Sequence, residues 1–382
     1  VEATTISTIK MYDKNKLKLN DKLEEYYKDT KIEYTRIKPD TNITIDTLNI
    51  TDIIDIEVLV KDKDTIHIND TIIVAYDTLF SKVTPKRNIF KCKIKDIMVH
   101  KSGLPTSMPI QRFLLYKQDT ILFANDSINK AMKDSLTNLT RKDTLQYLFD
   151  KYYSTKYVDD TYTVQIAKNF YLRKEYEDTL WMDIKQIRVN SKNIYQYSDV
   201  NMIILQQTLD TINDKPLNKY LDKQFYAPLG LQTICYQPLD YYSKKRIIPT
   251  EEDKFWRKQL IHGYVHDPSA ALMGGIAGNA GLFSNATDLG ILFQMLLNKG
   301  NYGDVRYIKS GTVDKFTAYQ LDSYRGLGFD KAIGRKKIVG KSASKNTFGH
   351  TGFTGTCIWV DPDNDLVYVF LNVDDKNYFF TS

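Results

Sequence analysis

A chain of 382 residues exceeds what one core usually holds, so one large two-lobed domain or two smaller ones are expected. With 42% apolar and 26% charged residues it has the mix of an ordinary globular protein, which excludes a disordered chain. The net charge of +6 is spread as alternating Lys and Asp, as in Lys61-Asp62-Lys63-Asp64, which argues for a solvated surface and against a nucleic-acid face. Along the chain, Ala3, Ile6 and then Ile9 or Lys10 recur at helical spacing until Asn15, which can take the left-handed conformation that stops a helix. The chain thus opens inside a helix. From about Ile43 to Ile73 the pattern changes to alternation, as in Ile43 and Ile45 and later Ile66 and Ile68, and a β-rich insertion is expected over 40–90. Asp-Thr pairs recur there (Asp64-Thr65, Asp70-Thr71, Asp77-Thr78), without a physical account.

The stretch from about 110 to 190 is polar and Tyr-rich and gives few sharp signals. Beyond it, Asp199 is expected to cap a helix carrying Val200, Ile203, Ile204 and Thr208, and Pro216 to open another with Leu217, Tyr220, Leu221 and Phe225. Leu289, Leu292, Phe293, Leu296 and Leu297 keep strict helical spacing, introduced by Ser284 and ended by Gly300. At the end, Thr356 to Val360 and Leu366 to Leu371 predict a hairpin about Asp361-Pro362-Asp363-Asn364-Asp365. Helices grouped around a mostly antiparallel sheet, an α+β domain, follow from this order.

The three cysteines, Cys92, Cys235 and Cys357, are too few and too widely spaced for a disulfide framework or a zinc site, and no metal or other cofactor is expected. No run of 18 or more apolar residues predicts a membrane span. The chain starts at Val1 rather than Met, so a targeting segment can have preceded it and location stays open on the residues alone.

Four segments can carry chemistry. Tyr197-Ser198-Asp199 presents a phenol, a hydroxyl and a carboxylate on one turn at a helix start, or serves simply as a cap. Gly349-His350-Thr351-Gly352-Phe353-Thr354-Gly355 leads into a strand, where glycines let a ligand or another backbone approach and a free N–H can serve an oxyanion, or mark only a tight bend. His100-Lys101-Ser102-Gly103-Leu104-Pro105 by itself reads as a loop. Gly275, Gly278 and Gly281 lack the strand-to-helix setting and lysine of a phosphate loop, which argues against nucleotide binding.

Order and wording together resemble the serine β-lactamase and penicillin-binding protein (D-Ala-D-Ala peptidase) family, in its class C-like form. Ile97-Met98-Val99-His100-Lys101-Ser102-Gly103-Leu104-Pro105 is similar to the family's "LLTHTSGLP" and Tyr197-Ser198-Asp199 to its Tyr-Ser-Asn box. Ala280-Gly281-Leu282-Phe283-Ser284-Asn285-Ala286-Thr287-Asp288-Leu289 resembles "GGLFSTADDL", and His350-Thr351-Gly352 stands where the family has Lys-Thr-Gly or His-Thr-Gly. His262-Gly263-Tyr264-Val265-His266-Asp267-Pro268 and Met273-Gly274-Gly275 resemble most the branch found fused behind glycoside hydrolase family 3 β-N-acetylglucosaminidases, which also occurs alone.

The resemblance implies a β-lactamase/transpeptidase-like fold in which an antiparallel sheet is flanked by helices and joined by a helical lobe. It implies one domain over 1–382, cut short at both ends, with the family's covering C-terminal helix absent after Val373 to Ser382. Val1 to Asp21 matches the family's "SVTKVAATTLAMMKLYDEGKIKLDD" from the residue after "SVTK", so the catalytic serine and lysine are expected just before Val1. Ser7-Thr8-Ile9-Lys10 has Ser-x-x-Lys spacing, which would let an amine take a hydroxyl proton, but in this register Lys10 falls turns beyond the active site; Ser7 and Lys10 remain the alternative nucleophile pair.

In the family's terms Tyr197 shares the proton with the lysine, and Asp199 replaces the commoner Asn. His350, Thr351, Gly352 and Phe353 are expected to bind substrate, His350 and Thr351 at its carboxylate and the Phe353 N–H at its oxyanion. His266 and Asp267 are expected either to line the cleft or to build a structural loop. The expected partner is a peptidoglycan-derived peptide or a β-lactam-like molecule, met in the periplasm or outside the cell, with a glycosidase as a possible fused neighbour. The competing reading is a non-catalytic module of the same fold that binds peptidoglycan or steadies that glycosidase.

Overall fold

The computed structural model describes residues 1–27, 45–49, 63–68, 71–76, 89–108, 110, 152–185, 187, 189–190, 194–320, 323–334 and 339–372. Expectations resting on Ile43, on 111–150 and on Val373 to Ser382 lie outside them. The opening helix α1, Glu2–Asp13, contains Thr4, Thr5 and Thr8, β-branched residues that favour helix weakly. Burial makes the helix instead: every residue from Ala3 to Ile9 is buried, with Ile6 and Ile9 fully so, each side chain stabilising by roughly 1.5–3 kcal/mol. Asn15 ends it as expected, at φ 58°, while the Asn15 and Lys16 N–H groups bond back to the Tyr12 and Met11 carbonyls.

A three-stranded antiparallel sheet follows, in the order β1 (Ile45–Asn49), β3 (Thr71–Tyr76), β2 (Lys63–Ile68). After the short helix α2 (Ile94–Met98) comes a second three-stranded sheet of β4 (Tyr153–Ser154), β5 (Tyr162–Ala167) and β6 (Phe170–Arg173), then α3 (Glu175–Lys185). Helix α4 spans Asp199–Asn213 and is capped by Ser198, whose Oγ accepts from the Asn201 N–H, rather than by Asp199, which forms its first turn. Helix α5 (Leu217–Leu221) starts after Pro216 and runs into a π-helical turn over Asp222–Tyr226. The paired strands β7 (Glu251–Asp253) and β8 (Gln259–Ile261) and the short α6 (Pro268–Leu272) lead to α7, Ala286–Leu297.

Helix α7 buries Leu292, Phe293, Leu296 and Leu297 of the expected stripe, with Leu289 half-buried; its cap is Asn285, one residue from the predicted Ser284, and the left-handed pair Lys299 (φ 54°) and Gly300 (φ 90°) ends it at the predicted glycine. A small β9–β10 hairpin (Asn301–Tyr302, Val305–Arg306) and α8 (Ser310–Thr317) precede the main sheet. That sheet is antiparallel, in the order β11 (Asp330–Lys331), β12 (Phe348–Thr351), β13 (Cys357–Asp361), β14 (Leu366–Phe370). Helix α7 packs across β13 and β14, and α1 packs against α4, α5 and α8, so α1 is the spine of a helical layer beside the sheet. Among the described residues no helix is long and apolar enough to cross a membrane.

Candidate active site

Tyr197 closes the loop before α4, His350 lies in β12, and Glu2 and Ala3 open α1. The three elements meet at one cleft of about 1600 Å³, lined also by Asp199, His266, Asp267, Thr351, Gly352 and Phe353. The Tyr197 and His350 ring centroids are 6.0 Å apart. Every residue named for base or substrate-binding work therefore faces the same space, although 153 positions separate Tyr197 from His350.

Ser7 and Lys10 are not part of it. Ser7 is fully buried and its Oγ has no hydrogen-bond partner, while the Lys10 ammonium donates to the Tyr307 carbonyl and lies 5.7 Å from the Phe225 ring centroid. Burial, with Lys14 nearby, lowers the Lys10 pKa. Neither residue lines the cleft.

The electrostatics of the cleft follow from burial. Burial first, then the Asp199 carboxylate, pushes the Tyr197 phenol well above its usual range, with Arg325 pulling the other way. Asp199 is itself pushed up to about 6, chiefly by burial and then by the facing carboxylate of Asp267. His350 is 4% exposed, and burial lowers its pKa although Glu2 and Asp330 act in the opposite sense. Its Nδ1 lies 2.8 Å from the Thr351 carbonyl, an acceptor, so Nδ1 carries the proton and neutral Nε2 is left without a partner. A neutral imidazole does not replace the lysine of Lys-Thr-Gly as an anion-binding charge.

The glycines of this edge are steric. At Gly349 a Cβ would lie 2.0 Å from the Ile358 carbonyl oxygen of β13, and at Gly352 one would lie 2.1 Å from Thr356 Oγ1. The Phe353 ring is exposed and stands edge-on to His266, with centroids 5.4 Å apart.

His266 and Asp267 line the cleft and also build its loop. His266 Nε2 is 3.1 Å from Glu251, and Asp267 caps α6 through the Ala270 N–H at 2.7 Å while accepting from Asn279 Nδ2 at 3.1 Å. Buried Arg257 ties the same loop to Asp253, Glu251 and the carbonyls of Val265 and His266. His262 and His266 stand four apart, a spacing that joins metal ligands on a helix, but they lie on irregular chain. His262 turns instead to the carbonyls of Lys244 and Ile247, and no metal-binding cluster is present among the described residues.

Three residues that hold Tyr197 in place were not singled out by their chemistry. His100, at φ 55° in the His-Lys-Ser-Gly-Leu-Pro loop, accepts at Nδ1 from the Ser198 N–H at 3.1 Å and lies 3.1 Å from Asn201 Nδ2. Its ring lies 4.4 Å from that of Tyr197, tilted by 30°. Ser102 Oγ donates to Asn201 Oδ1 at 2.6 Å, and the Asp199 N–H bonds to the Thr106 carbonyl. The loop is thus a clamp on the Tyr197-Ser198-Asp199 turn. The signal for it was the family segment itself, which names the loop without its partner.

Residues 161–377, more than half of the chain, match the family model described as Beta-lactamase. Over 198 residues the chain is 37% identical to a protein of Escherichia coli strain K12 provisionally named D-alanyl-D-alanine carboxypeptidase, covering 48% of this chain and 45% of that one. A counterpart of the same name from Salmonella typhi is 38% identical over 197 residues, 47% of this chain and 45% of the relative. The matched segment thus spans about half the length of these curated relatives. Among solved structures, the octameric penicillin-binding protein homologue from Pyrococcus abyssi aligns with a TM-score of 0.49 and 12% identity, covering 96% of this chain and 58% of that one. Simvastatin synthase from Aspergillus terreus aligns with a TM-score of 0.49 and 12% identity over 98% and 77% of the two chains. On the family match over residues 161–377, this chain, an α+β protein with antiparallel sheets beside helices, belongs to the beta-lactamase family.

Proposed function

We propose that the intact protein is a serine hydrolase acting on cell-wall peptides of the D-alanyl-D-alanine kind, or on related amides and esters, through an acyl-enzyme. The observation that carries this reading is the meeting of Tyr197, His350 and the first turn of α1 at one cleft wall. The nucleophilic serine and its lysine are placed on the turn leading into Val1, the register that the resemblance implies. Tyr197 then takes the serine proton. With its phenol held so far up by burial, it needs the lysine cation beside it to do so. Asp199 holds that lysine charged, and Thr351 with the neutral His350 meets the substrate by hydrogen bonds rather than by charge. The Phe353 N–H serves the oxyanion. A peptide of the cell wall puts the reaction outside the cytoplasm.

The test is mass spectrometry of the intact protein after exposure to a penicillin and to a panel of D-Ala-D-Ala muropeptides. A stoichiometric acyl adduct on a serine preceding Val1, with release of D-alanine from the muropeptides, is expected. Fast β-lactam turnover with no peptide cleavage would overturn the substrate assignment, and an adduct on Ser7 would overturn the register.

A further inference from the structure

Arg325 belongs to none of the family segments, yet it is 1% exposed and its guanidinium lies 5.8 Å from the Tyr197 ring centroid. It sits in a turn pinned on three sides. The Leu327 N–H bonds to the Phe316 carbonyl at 2.8 Å, the Gly328 N–H to the Met98 carbonyl at 3.0 Å, and a Cβ at Gly328 would lie 2.3 Å from Thr5 Oγ1 of α1. One guanidinium nitrogen pairs with Asp330, the first residue of β11, which lies opposite Gly349 beside His350. Arg325 Nε has no partner. Stability alone does not call for such a group, because a buried ion pair is often no better than apolar side chains of the same volume.

We propose that Arg325 is a positioning residue of this active site: it holds the Tyr197 ring against the cleft wall and supplies a permanent positive charge beside the phenol. The inference rests on the acyl-enzyme reading above. The groups facing Tyr197 are Asp199 on α4, Glu2 on α1, Asp330 on β11, His350 on β12, His100 on its loop and Arg325 itself. The three carboxylates oppose loss of the phenol proton, whereas a cation beside the ring favours it. That cation also acts to keep His100 and His350 uncharged, secondary in both to burial.

The test compares the intact protein with Arg325→Lys, Arg325→Met and the double variant Arg325→Met/Asp330→Asn, which removes both charges where the single change removes only the cation. The ascending limb of the kcat/KM–pH profile should move up by about one unit or more in Arg325→Met, about tenfold in rate at a fixed pH below the limb, by less in the double variant, where loss of the Asp330 carboxylate works the other way, and stay near its place in Arg325→Lys. Independently of turnover, the chain has only five histidines, so the imidazole signals can be assigned by NMR. That of His100 should titrate at higher pH in both Met variants, and that of His350 at higher pH in Arg325→Met but not in the double variant, which also loses the Asp330 carboxylate. A folded double variant with an unmoved His100 titration would overturn the inference, as would a uniform loss of rate with the limb in place. Absence of turnover in the unsubstituted protein would instead overturn the acyl-enzyme reading, while the imidazole titrations would still decide what Arg325 does.

Discussion

Tyr197 and Ser7 are the two hydroxyl-bearing residues on which the assignment of chemistry turns, and their surroundings separate them. Tyr197 opens on the cleft beside His350, whereas Ser7 is sealed inside α1 with its Oγ unbonded. In the intact protein, Tyr197→Phe keeps the ring and its contact with His100 but removes the proton acceptor. It should lower kcat by about 10² to 10⁴ with KM little changed, the scale of a lost general base. A comparable loss in KM with kcat intact would assign Tyr197 to binding. Ser7→Ala, by contrast, removes a buried hydroxyl that bonds to nothing, so acyl-adduct formation should be unchanged and the melting temperature equal or higher. Loss of the adduct in that variant would restore Ser7 as the nucleophile. Tyr197 was legible from its motif, but Arg325 was not: it stands alone between Tyr324 and Gly326, and the contact that gives it meaning spans 128 positions.

At the scale of elements, what the sequence made readable was periodicity, and what it obscured was the choice between neighbouring caps. The apolar stripe of α7 and the left-handed Asn15 after α1 follow from local rules. Ser198 displaces Asp199 as the cap of α4 for a tertiary reason, since the His100 ring holds the Ser198 N–H and the Pro105 carbonyl accepts from Ser198 Oγ. The glycine loop 274–281 shows the same dependence on packing. At Gly278 a Cβ would lie 1.9 Å from the Met202 carbonyl oxygen of α4, and Thr4 Oγ1 donates to the Gly278 carbonyl at 2.8 Å, so the loop is wedged against α4 and α1. Gly278→Ala should therefore cost about 1–3 kcal/mol or more and disturb the helix that positions Asp199. Gly290 in α7 has nothing within 4 Å of its would-be Cβ, and Gly290→Ala should stabilise by roughly 0.5–1 kcal/mol. Urea titration of the two variants checks both signs, and equal effects would show that the wedge is not rigid.

Across the whole molecule, two sets of buried ionisable groups oppose each other as pH changes. Asp199 and Asp210 are raised, chiefly by burial, to about 6 and about 7. Between the unfolded carboxylate pKa and these values the native state holds more protons than the unfolded one, so their contribution is full at the acid end and is lost as pH rises through 6 and 7. His100 and His350 are lowered, again chiefly by burial; there the unfolded state holds more protons, and stability falls as pH drops below the ordinary imidazole value of about 6.5. The windows overlap, so the slopes offset each other in the unsubstituted protein. Asp199→Asn/Asp210→Asn removes one set and should leave stability rising with pH between about 4 and 6.5, with a gain over the unsubstituted protein that is larger at pH 7.5 than at pH 4.5, on the order of 2–4 kcal/mol at the higher pH. Urea denaturation of both proteins across that range measures the slope. A double variant with the same slope as its parent would mean that these carboxylates are solvated in solution and that burial does not set their proton affinity.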